Sequence, residues 1–177
     1  THYSIVDKWG NCVAVTTTLN GGFGSYVAVD GAGFLLNNEM DDFSAKPGTP
    51  NMFGALGNIA NEIQPNKRML SSMTPTIVVK NGKPFMVIGT PGGTTIITTV
   101  MQVICNVIDF GMNIQEAIDA PRIHHQWLPD QVVAEPGLSP GLMQALAARG
   151  HKISPTWLGT AANSILISPT GLVGAAD

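Results

Sequence analysis

The chain of 177 residues carries a net charge of −3, with only 12% charged residues against 44% hydrophobic ones. With no Lys/Arg stripe and an acidic balance, it is excluded as a binder of nucleic acid or of anionic membrane surfaces. Its charge content is about half the ~25% usual for soluble domains, which implies much buried surface, in a layered β core or against a partner.

The length suits a single domain over residues 1–177 with a sizeable core. No signal peptide or membrane-inserting span is expected. The longest apolar run, 96–108, is interrupted by Thr98, Thr99, Gln102 and Asn106. Cys12 and Cys105 are far apart and form no CxxC, so they read as two buried free thiols.

In chain order, residues 3–6 and 12–18 alternate β-branched and polar side chains around Asp7-Lys8-Trp9-Gly10-Asn11, which predicts a strand, a turn and a strand. A Gly-rich stretch at 20–24 precedes a second hairpin, 26–29 and 33–36, turning at Asp30-Gly31. Residues 37–68 show no periodic apolar pattern, and a segment of that length in a compact domain usually serves as a lid or binding loop. Met52, Phe53, Leu56 and Ile59 give it something to pack.

Residues 76–80 and 84–88 flank Asn81-Gly82, the clearest hairpin signal in the chain. Thr90-Pro91-Gly92-Gly93 then leads into a helix over 95–110. A shorter helix is predicted at 114–119, stopping before Pro121, and a third at 140–148, ending at Gly150. Strands at 164–168 and 172–175 around Pro169-Thr170-Gly171 close the chain. Strands, then helices, then strands predict a layered α/β sandwich.

Thr1 is the first residue with chemical interest. A Thr at a chain's own N-terminus is nucleophile and base at once, because its α-amine, with a pKa of about 7.7–8.0, takes the hydroxyl proton. Such a start also leads one to expect proteolytic processing of a precursor.

Several segments are specific. Thr1-His2-Tyr3-Ser4, Asp7-Lys8-Trp9-Gly10-Asn11 and Thr16-Thr17-Thr18-Leu19-Asn20 resemble the opening of γ-glutamyltransferase small subunits. So do Leu35-Leu36-Asn37-Asn38-Glu39-Met40-Asp41-Asp42-Phe43, Pro65-Asn66-Lys67-Arg68, Leu70-Ser71-Ser72-Met73-Thr74-Pro75-Thr76 and Gly89-Thr90-Pro91-Gly92-Gly93. Ala120-Pro121-Arg122 and Arg149-Gly150-His151 continue the match across the chain.

The resemblance implies the α/β (α+β), four-layer αββα sandwich of N-terminal-nucleophile hydrolases, completed by a large subunit cut from the same precursor. It implies γ-glutamyl transfer and hydrolysis, on glutathione and other γ-glutamyl amides, to water or an amino acid. No cofactor and no metal are implied. Its bacterial members with a full lid loop are exported, so a periplasmic or secreted location is expected.

Roles follow position by position. Gly92 and Gly93 open a helix, and their N–H groups are assigned to the anionic tetrahedral oxygen. Thr18 is assigned to a hydrogen bond with the nucleophile. Ser71 and Ser72 suit the α-carboxylate of a glutamyl group, while Glu39 and Asp42, with Asn20 beside them, suit its α-ammonium. Residues 37–68 become a lid and donor-binding loop. His2 is expected to orient its neighbours rather than act as a base.

This sequence departs from the family pattern at three places. Family register puts the nucleophile two residues before the histidine, hence one residue ahead of Thr1, whereas at face value Thr1 itself is the nucleophile. Phe53 replaces a lid tyrosine, and Thr94-Thr95 replaces a Ser-Arg pair. Two alternatives stay open: a related acylase cleaving glutaryl side chains of cephalosporins, and an inactive subunit lacking its nucleophile.

Overall fold

The computed structural model describes all 177 residues. The chain runs β1 (His2–Val6), β2 (Cys12–Thr16), β3 (Thr76–Lys80), β4 (Lys83–Gly89), α1 (Thr95–Ile108), α2 (Ile114–Asp119), β5 (Ile123–His124), β6 (Val132–Ala134), α3 (Pro140–Ala148), β7 (Ile153–Pro155), β8 (Asn163–Ser168) and β9 (Gly171–Ala176). It divides into two compact units, one of Thr1–Thr16 with Met73–Asp177, the other of Thr17–Ser72.

In the first unit an antiparallel sheet of order β3-β4-β8-β9 forms the centre. Met86, Val87 and Ile88 of β4 are fully buried, as expected of a strand covered on both faces. Met86 and Ile88 pack with Ile96, Val100 and Val103 of α1 and with Ile114, Ala117 and Ile118 of α2. Pleating turns the next residue, Gly89, to the opposite face, where it abuts the β1–β2 hairpin. A Cβ at Gly89 would overlap the His2 imidazole, so only glycine allows that approach. The unit therefore layers a β hairpin, a β sheet and helices, the mixed α/β sandwich expected.

Local chemistry sets the helix limits. Asn113 and Glu116 form a reciprocal capping box at the start of α2, at 2.9 and 3.1 Å. Ser139 caps α3 ahead of Pro140, and Gly150, at φ 93°, follows its last turn. α1 stops at Ile108, short of the predicted residue 110, when the chain turns at Gly111 with φ 68°.

A small sheet, β5-β6-β7, was not expected, since strands of two or three residues are too short to alternate. Arg122, 4% exposed, ties it to the main sheet. Its Nε donates to Glu135 at 2.8 Å, and its two terminal nitrogens donate to Asp177, one of them at 2.9 Å. Burial alone would lower its pKa, but the bonds and charges of Asp177 and Glu135 reverse that and raise it.

The second unit is held by backbone bonds of turns and loops, reinforced by side-chain-to-backbone ones. Two short 3₁₀ helices, Glu39–Asp42 and Ile59–Asn61, flank a parallel bridge between Ser44 and Glu62. Gly48 N–H bonds Gly57 O at 2.9 Å, closing a loop whose tip turns on Asn51 Oδ1. Residues 37–68 are thus ordered by turns rather than by periodic packing. The hairpin expected at 26–36 contracts to one bridge, Ala28 with Leu35. Strand β2 ends at Thr16, so Thr18 lies outside any strand. Both cysteines are half-buried rather than buried.

Candidate active site

The sequence-assigned residues divide between the units. Thr1, Gly92 and Gly93 belong to the first; Thr18, Asn20, Glu39, Asp42, Phe53, Ser71 and Ser72 belong to the second.

In the first unit, β1 alternates strictly: Thr1 and Tyr3 are exposed, while His2 and Ser4 turn inward. The Ser4 hydroxyl donates to Asn163 O at 3.2 Å, so it can only accept from His2 Nε2, 3.1 Å away. That fixes the proton on Nε2 and leaves Nδ1 to accept from the Thr16 hydroxyl at 2.8 Å. Burial lowers the His2 pKa, so the ring is neutral near pH 7 and orients its neighbours.

Between β4 and α1, the Gly92 carbonyl accepts from Thr95 N–H and the Gly93 carbonyl from Ile96 N–H, both at 3.3 Å. The N–H groups of Gly92 and Gly93 donate to no other group of the chain. Two adjacent, uncommitted N–H donors at the start of a helix make a site for a developing negative charge. Gly92 has φ 141°, and a Cβ there would lie 2.6 Å from Thr95 Oγ1 and 2.7 Å from Thr160 Cγ2.

In the second unit, Thr18 Oγ1 accepts from Asn20 N–H at 2.9 Å, a local turn that sets up Asn20 at φ 72°. Asn20 Nδ2 donates to Asn38 O at 3.2 Å, and Asn38 Oδ1 accepts from Gly21 N–H at 2.8 Å. Asn20 and Asn38 both reach Met52 Sδ at 3.6 Å, and Met52 N–H bonds Asp41 Oδ2 at 3.0 Å. Phe53 follows, half-buried, with its N–H on Asn51 Oδ1 at 3.0 Å.

Glu39 and Asp42 sit on one 3₁₀ turn, and their carboxyls influence each other's protonation. Burial raises both pKa values; the Asp42 charge adds to the rise at Glu39 and the Asp41 charge to that at Asp42. The interaction with Glu39 partly offsets the rise at Asp42. Asn61 joins this turn to the serine pair: its Nδ2 donates to Asp42 O at 2.7 Å and its Oδ1 accepts from Leu70 N–H at 3.0 Å, directly ahead of Ser71 and Ser72. Acceptors for a cation and hydroxyls for an anion thus come from one unit.

The family model described as Gamma-glutamyltranspeptidase matches residues 1–177. The chain belongs to the gamma-glutamyltranspeptidase family. The "Glutathione hydrolase proenzyme" of Escherichia coli K12 is 55% identical over 178 residues, covering 100% of this chain and 31% of that protein. The chain thus spans about a third of the length of the curated relatives it matches. Among solved structures, an acivicin-inhibited gamma-glutamyltranspeptidase is 53% identical with a TM-score of 0.95, covering 100% of this chain and 96% of that one. A cephalosporin acylase from Bacillus halodurans is more distant, 34% identical with a TM-score of 0.87 over 99% of this chain and 32% of that one. The gamma-glutamyltranspeptidase fold is therefore the fold of this chain. No helix in it is long and apolar enough to cross a membrane.

Sequence reasoning gave no role to Asn38, Asp41 and Asn61, which with Met52 brace the second unit, or to Thr90, Thr95 and Thr160, which surround the glycine turn. A threonine beside a Pro-Gly-Gly turn was the one visible signal; the asparagines looked like ordinary loop residues.

Proposed function

We propose that this chain is the smaller, nucleophile-bearing subunit of an enzyme that hydrolyses and transfers γ-glutamyl groups, cut autocatalytically from a precursor that also yields its large subunit. The uncommitted N–H pair at Gly92-Gly93 carries the reading, because acyl transfer needs two such donors at a developing oxyanion. A threonine hydroxyl at the start of β1 attacks the γ-carbonyl. The tetrahedral oxygen is held by Gly92 and Gly93, and collapse expels the amine, which takes the proton. Water or an amino acid then attacks the γ-glutamyl ester and regenerates the hydroxyl.

Strand alternation supports placing the nucleophile one residue ahead of Thr1, as family register has it. That position shares the inward face of His2, which lies against Gly89, just before the glycine turn. Thr18 holds the nucleophile. Ser71 and Ser72 bind the α-carboxylate, and Asp42, with Glu39 and Asn20, binds the α-ammonium. Two carboxyls that burial pushes towards neutrality gain most from a cationic partner. A glutaryl group has no ammonium, so Asp42 favours the γ-glutamyl reading over the acylase one. Residues 37–68, with Phe53, form the lid, and the enzyme is periplasmic or secreted.

Expression of the full precursor tests this. Two polypeptides should copurify and release the amine from a γ-glutamyl anilide, with glutaryl anilide turned over at least about 10-fold more slowly, the loss of one charged contact. Preferred turnover of the glutaryl compound, or activity of this chain without its partner, overturns the reading.

A further inference from the structure

We infer that Thr90 and Thr95 are positioning residues for the oxyanion hole: their hydroxyls hold the carbonyls of Pro91 and Gly92, and so aim the N–H groups of Gly92 and Gly93. The inference rests on the γ-glutamyl reading above. In a trans peptide, C=O and the following N–H lie in one plane and point oppositely. Whatever holds the Pro91 carbonyl therefore sets the direction of Gly92 N–H, and whatever holds the Gly92 carbonyl sets that of Gly93 N–H.

Both carbonyls are held by a threonine hydroxyl, that of Gly92 also by the longer bond from Thr95 N–H at 3.3 Å. Thr90 Oγ1 donates to Pro91 O at 2.7 Å, and Thr95 Oγ1 donates to Gly92 O at 2.7 Å. Both hydroxyls face the segment leading into β8. Thr90 Oγ1, on a fully buried side chain, is anchored by accepting Ala161 N–H at 2.9 Å, and the single proton of Thr95 Oγ1 is shared between Gly92 O, the nearer, and Leu158 O at 3.1 Å. Thr160, buried alongside, fills the space beside Gly92 that any Cβ would need.

The need for such pins follows from the two glycines. They give the close approach an oxyanion requires, but glycine leaves both peptide planes free to rotate. A flipped plane would present a carbonyl oxygen to the oxyanion and repel it. A donor that must reorganise during the reaction loses most of its value, so fixed planes matter to the chemical step more than to substrate binding.

Thr90→Val and Thr95→Val, with Thr90→Ser and Thr95→Ser as hydroxyl-restoring partners, test this in the two-subunit enzyme made from its full precursor. For γ-glutamyl anilide, each valine variant should lose about 10- to 100-fold in kcat, less than the full loss of an oxyanion donor, with KM within about 3-fold. Affinity for a γ-glutamyl boronate, whose tetrahedral adduct carries the anionic oxygen, should fall in parallel, while affinity for glutamate stays unchanged. Both serine variants should recover. Equal losses for boronate and glutamate, unchanged kcat in the valine variants, or serine variants as poor as valine would overturn the inference. Should Thr90→Val not give a cooperative melt, Thr95→Val, at the less buried site, decides alone. Absence of γ-glutamyl turnover in the unaltered enzyme overturns the underlying reading instead.

Discussion

Gly92→Ala should lower kcat for γ-glutamyl anilides by at least about 100-fold while leaving a folded, two-subunit enzyme. Removing one oxyanion donor typically costs about 10²–10³ in rate. The alanine achieves that without deleting the N–H, because it cannot keep the turn in place. At φ 141° an L side chain is strained, and its Cβ would meet Thr95 Oγ1 at 2.6 Å and Thr160 Cγ2 at 2.7 Å. Relief requires the turn to shift or Thr95 to leave the Gly92 carbonyl, and a displacement near 1 Å in an acyl-transfer site costs on the order of 10²-fold. Gly141→Ala is the matching control. It lies in α3 with nothing within 4 Å of the added Cβ, so activity should hold, with stability unchanged or slightly raised. Steady-state kinetics and thermal melts of both variants check this; Gly92→Ala with near-normal kcat would remove Gly92 from the mechanism.

Asp42→Asn should weaken γ-glutamyl donors by the ~1.5–3 kcal/mol of a hydrogen bond to a charged group, about 10- to 150-fold in KM. Glutaryl substrates should be spared or improved, since a carboxylate with nothing to neutralise is gone. The pH dependence has a matching sign. Burial and the Asp41 charge raise the Asp42 pKa above its ordinary 3.8, so on acidification Asp42 becomes neutral earlier than a free aspartate. KM for γ-glutamyl donors should therefore climb as pH falls through a value above 3.8, and the limb should vanish in Asp42→Asn. Equal losses on both substrate types would show that Asp42 does not face the ammonium.

How far the sequence could be read depended on what holds each part together. The β3–β4 and β8–β9 hairpins are legible because Asn81-Gly82 and Pro169-Thr170-Gly171 sit between alternating segments. Helices α2 and α3 are legible because Pro121 and Gly150 mark where they end. The second unit is not, because its order comes from backbone turn bonds and from Asn38, Asn51, Asn58 and Asn61 bonding backbone groups, and such bonds leave no period in the sequence. The same holds at the site. Gly92-Gly93 stands out as a turn before a helix, but Thr90 and Thr95 look like any threonine of a strand end or a first helical turn. Their role lies in the two carbonyls they touch. The β-branched run through Thr18 predicts a strand, but Thr18 caps a turn, since Asn20 with φ 72° ends the extended run.

The mechanism turns on where the nucleophile stands ahead of β1. A shift of one residue moves a hydroxyl about 3.3 Å along the strand and reverses its side, while Gly92 and Gly93 are fixed by the sheet and α1. Labelling the processed enzyme with a γ-glutamyl-directed covalent inhibitor and locating the adduct by peptide mass spectrometry decides it. The adduct is expected on the hydroxyl of the residue immediately preceding Thr1, on the inward face it shares with His2. An adduct on Thr1, or on Cys12 or Cys105, would contradict it.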